Sequence, residues 1–97
     1  MKYKLTPRAE LGLSNIVLIV EERFGPQVAD RVLEELLVAF KRLTEHPDSG
    51  HLREDLTDSA GIRFLAGGPS LIAYRVRDAA LQILFVERAE RDWRWML

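Results

Sequence analysis

The sequence predicts an α+β domain: a short N-terminal strand, a helical hairpin packed on a small antiparallel β-sheet, and a short C-terminal helix. Three observations carry that prediction. In the first half, two long stretches repeat apolar residues at helical spacing, and in the second half three segments alternate apolar and polar residues at period two. Between them, the stretch 45–61, "EHPDSGHLREDLTDSAG", is too rich in charges and turn formers to pack as an element of its own, and it reads as a surface loop. The chain has 97 residues, enough for one core that buries about two-thirds of the unfolded surface. With no internal repeat, low-complexity tract or Gly/Ser linker, residues 1–97 read as a single domain.

The N-terminal strand ends at Thr6-Pro7. A threonine hydroxyl caps orphan amides there, and the fixed φ of proline suits the first helical position. In the helix that follows, Ala9, Leu13, Ile16, Val17 and Val20 form one stripe, whereas Leu11 and Leu18 fall on the opposite side. Those two leucines are either ordinary exposed apolar residues or a contact face for another chain. Phe24-Gly25-Pro26 turns the corner, with Gly25 suited to closing one helix and Pro26 to opening the next. Over 26–44 the stripe is Val28, Ala29, Val32, Leu33, Leu36, Phe40 and Leu43, which makes an antiparallel hairpin.

The strands are expected at 62–66, 71–76 and 81–86, joined by turns centred on 67–69 and on Asp78-Ala79. Those turns set Phe64 opposite Ile72, Ile62 opposite Tyr74, and Tyr74 opposite Ile83. One face then carries Ile62, Phe64, Ile72, Tyr74, Val76, Leu81, Ile83 and Phe85 toward the helices. The other holds Leu65, Leu71, Ala73, Gln82, Leu84 and Val86, edged by Arg63, Arg75, Arg77 and Arg88. A slip of one residue would exchange the faces. An apolar floor rimmed by guanidinium forks is either solvated sheet edge or a groove for an amphipathic, acidic peptide.

Composition narrows the function classes. Fourteen Lys and Arg stand against 15 Asp and Glu, a net charge of −1, so no global field draws the chain to nucleic acid or an anionic membrane. The absence of cysteine removes disulfides, thiolate zinc sites and thiol nucleophiles. Two histidines, His46 and His51, are too few for a metal centre, so no metal or cofactor is expected. The N-terminus lacks the apolar run of a secretory signal, and no segment approaches the about 20 apolar residues that span a bilayer, so a cytoplasmic location is expected.

In order, "LTPRAELGL", "ERFGPQVADRVLEEL", "HPDSGHLREDL", "GIRFL", "LIAYRV" and "LQILFVERAERDW" give a chain that resembles the small toxins of the RelE/ParE superfamily, most closely the ParE and plasmid-stabilisation branch. The resemblance covers essentially the whole chain. It implies a growth inhibitor neutralised by a cognate antitoxin, with operator DNA contacted only through that antitoxin and no membrane partner. Antitoxin-binding residues are then expected at Leu11, Leu18, Arg63, Leu71, Arg75 and Leu84. RelE-like members cut ribosome-bound mRNA, whereas ParE-like members poison DNA gyrase.

Metal-free ribonuclease chemistry needs a base, an acid and cations on the phosphate. On the resemblance, a nuclease reading would use Glu54, Arg63 and Arg88. The strand end departs from the cleaving pattern, because Glu87-Arg88 stands where a histidine or tyrosine supplies the proton. An arginine cannot exchange protons at neutral pH. The expectation is therefore a toxin without catalytic residues, which binds gyrase through its tail, Arg91, Arg94 and Trp95, with Trp93 packing against the sheet in a short helix over 88–97. A third reading is a non-toxic relative retained as an antitoxin-binding or repressor component.

Overall fold

A computed structural model describes residues 1–53, 61–67 and 70–88. Strand β1 (Tyr3–Leu5) leads into helix α1 (Pro7–Phe24) and helix α2 (Pro26–Glu45). Then come β2 (His51–Leu52), β3 (Arg63–Gly67), β4 (Ser70–Arg77) and β5 (Ala80–Arg88). The expected C-terminal helix lies outside the described residues, apart from Arg88, which belongs to β5.

Both helices begin and end where the sequence punctuates them. Thr6 caps α1: its Oγ1 accepts from the Ala9 N–H (3.1 Å) and donates to the Leu84 carbonyl (2.8 Å). Gly25, at φ 89°, serves both helices, since its N–H donates to the Glu21 carbonyl and its own carbonyl accepts from Ala29 N–H. That left-handed φ is one an L side chain seldom adopts, which fits glycine there. The buried stripes are Ala9, Gly12 and Ile16 on α1, and Ala29, Leu36, Phe40 and Leu43 on α2. All but Gly12 belong to the predicted sets.

Among the described residues the sheet has five strands in the order β1-β5-β4-β3-β2. It is mixed rather than purely antiparallel, because β1 joins it parallel to β5, pairing Tyr3 with Leu81 and Leu5 with Ile83. β2 forms inside the stretch read as loop, with His51 opposite Phe64 and Leu52 opposite Arg63.

The predicted faces are corrected at two places. Gly67 pairs directly with Ser70, so Phe64 lies opposite Ala73 and Leu65 opposite Ile72, one residue away from the expected register. On β5, Tyr74 faces Ile83 as expected, but Ala73 faces Phe85, and Leu84 is an extra residue in a bulge. Each shift reverses every side chain beyond it. The helix-facing core is therefore Leu65, Ile72, Tyr74, Leu81, Ile83 and Val86 against Ile16, Leu36, Phe40 and Leu43. Ile62, Phe64, Ala73 and Phe85 make a second buried cluster on the opposite face, with the Phe64 and Phe85 rings 6.3 Å apart. Arg63, Leu65, Val86 and Arg88 change sides with them.

Gly12 decides how close α1 comes to the sheet. A Cβ at this position would overlap the Val86 carbonyl oxygen and lie 3.4 Å from Glu87 Oε1. The obstructing atom is backbone, which cannot rotate aside. Gly12→Ala is expected to lower unfolding stability by about 2 to 3 kcal/mol despite its better helix propensity, measured by urea denaturation. A neutral or stabilising result would mean that α1 does not sit this closely on β5.

Candidate partner-binding surfaces

On the outer side of the helical layer, Leu11 is 63% exposed and Leu18 55% exposed, with exposed Ser14 and Asn15 between them. Seven residues apart, the leucines share one azimuth of α1, opposite its buried stripe. Val38 on α2 is likewise 56% exposed. The sequence reading of Leu11 and Leu18 as surplus to the core holds.

Arg63 sits elsewhere. It lies opposite Tyr74 across β3 and β4, and its Nη1 donates to the Gly50 carbonyl (3.0 Å) while Nη2 is 3.5 Å from Asp48. Asp48 is almost fully exposed, so this ion pair adds little. The carbonyl bond is the stronger constraint. Tyr74 completes the tie: its hydroxyl donates to the Pro47 carbonyl (2.8 Å) and accepts from the Gly50 N–H (2.7 Å). A Cβ on Gly50 would come within 2.6 Å of that hydroxyl, so only glycine lets the chain pass over the phenol. Ser49 closes the turn by bonding the His46 carbonyl through both N–H and Oγ. Burial lifts the Tyr74 phenol above its usual 10.0, against the lowering pull of the Gly50 amide and the Arg63 guanidinium. Arg63 and Tyr74 therefore work as a latch that holds 47–50 on the sheet.

The remaining sheet residues divide between two faces. Leu71, Arg75 and Leu84 lie on the face away from the helices, all half-buried, and Leu71 and Leu84 pack against the second apolar cluster. Arg75 Nε donates to Gln82 Oε1 across the strands (3.0 Å). Arg63 is absent from this face, so the proposed groove keeps Leu71, Arg75 and Leu84 but loses one of its rims. Arg88 also leaves it, standing opposite Ser70 at the far end of β5. Glu87, at the strand end, is buried, and its carboxylate lies beside Gly12 of α1. Glu54, Arg91, Trp93, Arg94 and Trp95 lie outside the described residues. Among the described residues no group of His, Asp or Glu could hold a metal ion, and no helix is long and apolar enough to cross a membrane.

Sequence reasoning missed Tyr74 as a polar anchor and Lys4 as a neighbour of the Arg75–Gln82 pair. Alternation in "KYKL" was the available signal for a strand with lysines on one side. Nothing local shows that it pairs with β5, 78 residues away.

This arrangement, a helical hairpin on a mixed sheet with β1 beside the last strand, is shared with known proteins. A chain described as "Chromosomal ParDE TA system from P. aeruginosa" superposes with a TM-score of 0.78 at 26% identity, covering 93% of this chain and 97% of that one. Toxin ParE1 of Caulobacter vibrioides is 35% identical over 74 residues, 76% of this chain and 75% of that protein. The family profile for the ParE toxin of the type II toxin–antitoxin system parDE matches residues 3–93. Fold and matches together define a toxin of the type II toxin–antitoxin class. Within that class, the chain belongs to the ParE toxin family.

The latch has a pH signature. A phenol held neutral in the folded state contributes stability that is complete below the unfolded value of about 10 and is lost as pH rises through the higher folded value. Tyr74→Phe leaves Gly50 N–H and the Pro47 carbonyl without their partner, which costs about 1 to 3 kcal/mol at neutral pH. Comparing unfolding at pH 8 and pH 11, the variant should lose less stability than wild type. Equal losses would mean the phenol is not held in this way.

Proposed function

We propose that this chain is the growth-arresting component of a parDE module, that it acts by binding DNA gyrase without cutting RNA, and that an antitoxin holds it inactive. The observation that carries the non-catalytic reading is the engagement of Arg63. The arginine that a nuclease would direct at phosphate is bonded to Gly50 and paired with Asp48. Its cross-strand neighbour Tyr74 is buried with a raised pKa, the wrong direction for a general base. The strand end supports the same reading, since Glu87 is buried and Arg88 cannot exchange protons.

The antitoxin covers the exposed leucines of α1 and reaches the outer sheet face at Leu71, Arg75 and Leu84. Supporting this are the exposure of Leu11 and Leu18 and the likeness to a chain from a ParDE system. Apolar contacts supply the affinity and Arg75 the orientation. Operator sequence is read by the antitoxin. The tail residues Arg91, Arg94 and Trp95 are assigned to the gyrase contact on family resemblance. The fold needs no cofactor for either contact.

Purified toxin, freed of antitoxin, should stop gyrase from supercoiling DNA or make broken DNA accumulate. Growth arrest with gyrase unaffected and mRNA cut on ribosomes would transfer the assignment to the nuclease reading. Harmless expression of the toxin alone would favour the non-toxic relative. For the antitoxin face, Leu11→Glu with Leu18→Glu should weaken antitoxin binding at least about a hundredfold, from about 1.5 kcal/mol for each leucine. Unchanged affinity by calorimetry would place the antitoxin elsewhere.

A further inference from the structure

Sheet register gathers a cationic patch from four positions scattered in the sequence. Lys4 pairs with Gln82 and Gln82 with Arg75, so these three side chains stand in one row across β1, β5 and β4 on the face away from the helices. The next row toward the hairpin turn is Lys2, Ala80 and Arg77, fixed by the Leu81 N–H bond to the Lys2 carbonyl and by the pairing of Arg77 with Ala80. Neighbouring strands lie about 4.8 Å apart and alternate residues about 6.8 Å apart, so the Cα atoms of all four fit within about 10 by 7 Å. Lys2, Lys4 and Arg77 are exposed, and the half-buried Arg75 engages Gln82 through Nε. Among the described residues, none of the four has a carboxylate partner.

That concentration costs stability, because like charges repel along β1, along β4 and across the intervening β5, and the chain as a whole carries −1. Nothing within the described fold relieves it. The texture of the patch narrows the counter-charge. Its centre is Ala80 and Gln82, at the end of the outer face beyond the leucines assigned to the antitoxin. Among the described residues it offers no aromatic platform for unpaired bases, since Tyr3 turns to the other face and packs against Phe40 with ring centroids 5.5 Å apart. A surface that presents exposed cations around Ala80 and Gln82 suits a polyanion whose bases are already stacked inside.

We propose that Lys2, Lys4, Arg75 and Arg77 form a site for the phosphate backbone of duplex DNA, bound without regard to sequence. The site is independent of the gyrase reading and of operator recognition by the antitoxin. It gives the toxin its own hold on DNA.

The test measures binding of the full-length toxin, free of antitoxin and without gyrase, to a short labelled duplex by fluorescence anisotropy at several salt concentrations. Four phosphate contacts give a slope of log affinity on log salt of about −3.6, a loss of about 150-fold between about 50 and about 200 mM. Lys4→Gln with Arg77→Gln should halve the slope to about −1.8 and the loss to about 12-fold. Lys2→Gln with Lys4→Gln should do the same, and a melting temperature equal to wild type certifies that each variant is folded. Absence of duplex binding, an unchanged slope in both folded variants, or tighter binding to single-stranded RNA or polyglutamate than to the duplex overturns the proposal. With gyrase absent, neither result bears on the supercoiling assay.

Discussion

One hydroxyl group joins the two layers of this protein. Thr6 Oγ1 donates to the Leu84 carbonyl and accepts from the first turn of α1, while the Thr6 amide binds the Ile83 carbonyl. The helix is thus anchored at its N-terminus to the one point where β5 departs from regular pairing. A bulge leaves a carbonyl without its ladder partner, and such a group buried without a bond is costly. Here the helix cap satisfies it. From that anchor α1 runs over β5, and the absence of a side chain at Gly12 lets the two backbones meet. Burial of Ile16, Leu36, Phe40 and Leu43 on the sheet follows from that placement.

How much of this was legible in the sequence depends on the range of the interaction responsible. The helices were legible almost to the residue, because Thr6-Pro7 and Gly25-Pro26 act within one turn and the stripes repeat every three or four residues. The strands were legible as segments, because alternation is also local. Their faces were not. Direct pairing of Gly67 with Ser70, in place of a wider turn, moved Phe64 and Leu65 to opposite sides, and the extra residue at Leu84 did the same to Phe85 and Val86. Neither leaves a trace in composition or periodicity. The parallel seam between β1 and β5 is a long-range pairing whose evidence in the sequence is three residues long.

The same register decides what the polar residues do. Arg63 was read as a rim of the outer face and became a tie to Gly50, because a slip of one residue put it across from Tyr74. The buried phenol needs partners for its hydroxyl and finds them in the backbone at 47 and 50, so a stretch of turn formers becomes an ordered approach to β2. Arginine serves here as a five-donor brace for carbonyls, a use that requires no proton exchange. Positive charge is meanwhile sorted by strand: Lys2, Lys4, Arg75 and Arg77 collect at one end of the outer face, and the aromatic pair Phe64 and Phe85 occupies its middle.

The bulge at Leu84 also gives β5 two phases of side chains. Before it, odd-numbered residues such as Leu81 and Ile83 face the helices; after it, even-numbered ones such as Val86 do. A strand with a change of phase is buffered against drift in one direction only. Loss of Leu84 would regularise the strand and leave Leu81, Ile83, Phe85 and Val86 on their present sides, at the cost of the carbonyl that Thr6 binds, whereas loss of a residue elsewhere in β5 would turn every side chain beyond it. A change of length in this strand is therefore admissible at the bulge alone, and homologous chains that keep the fold should keep the count from the Asp78-Ala79 turn to Ile83 even where they exchange the residues themselves.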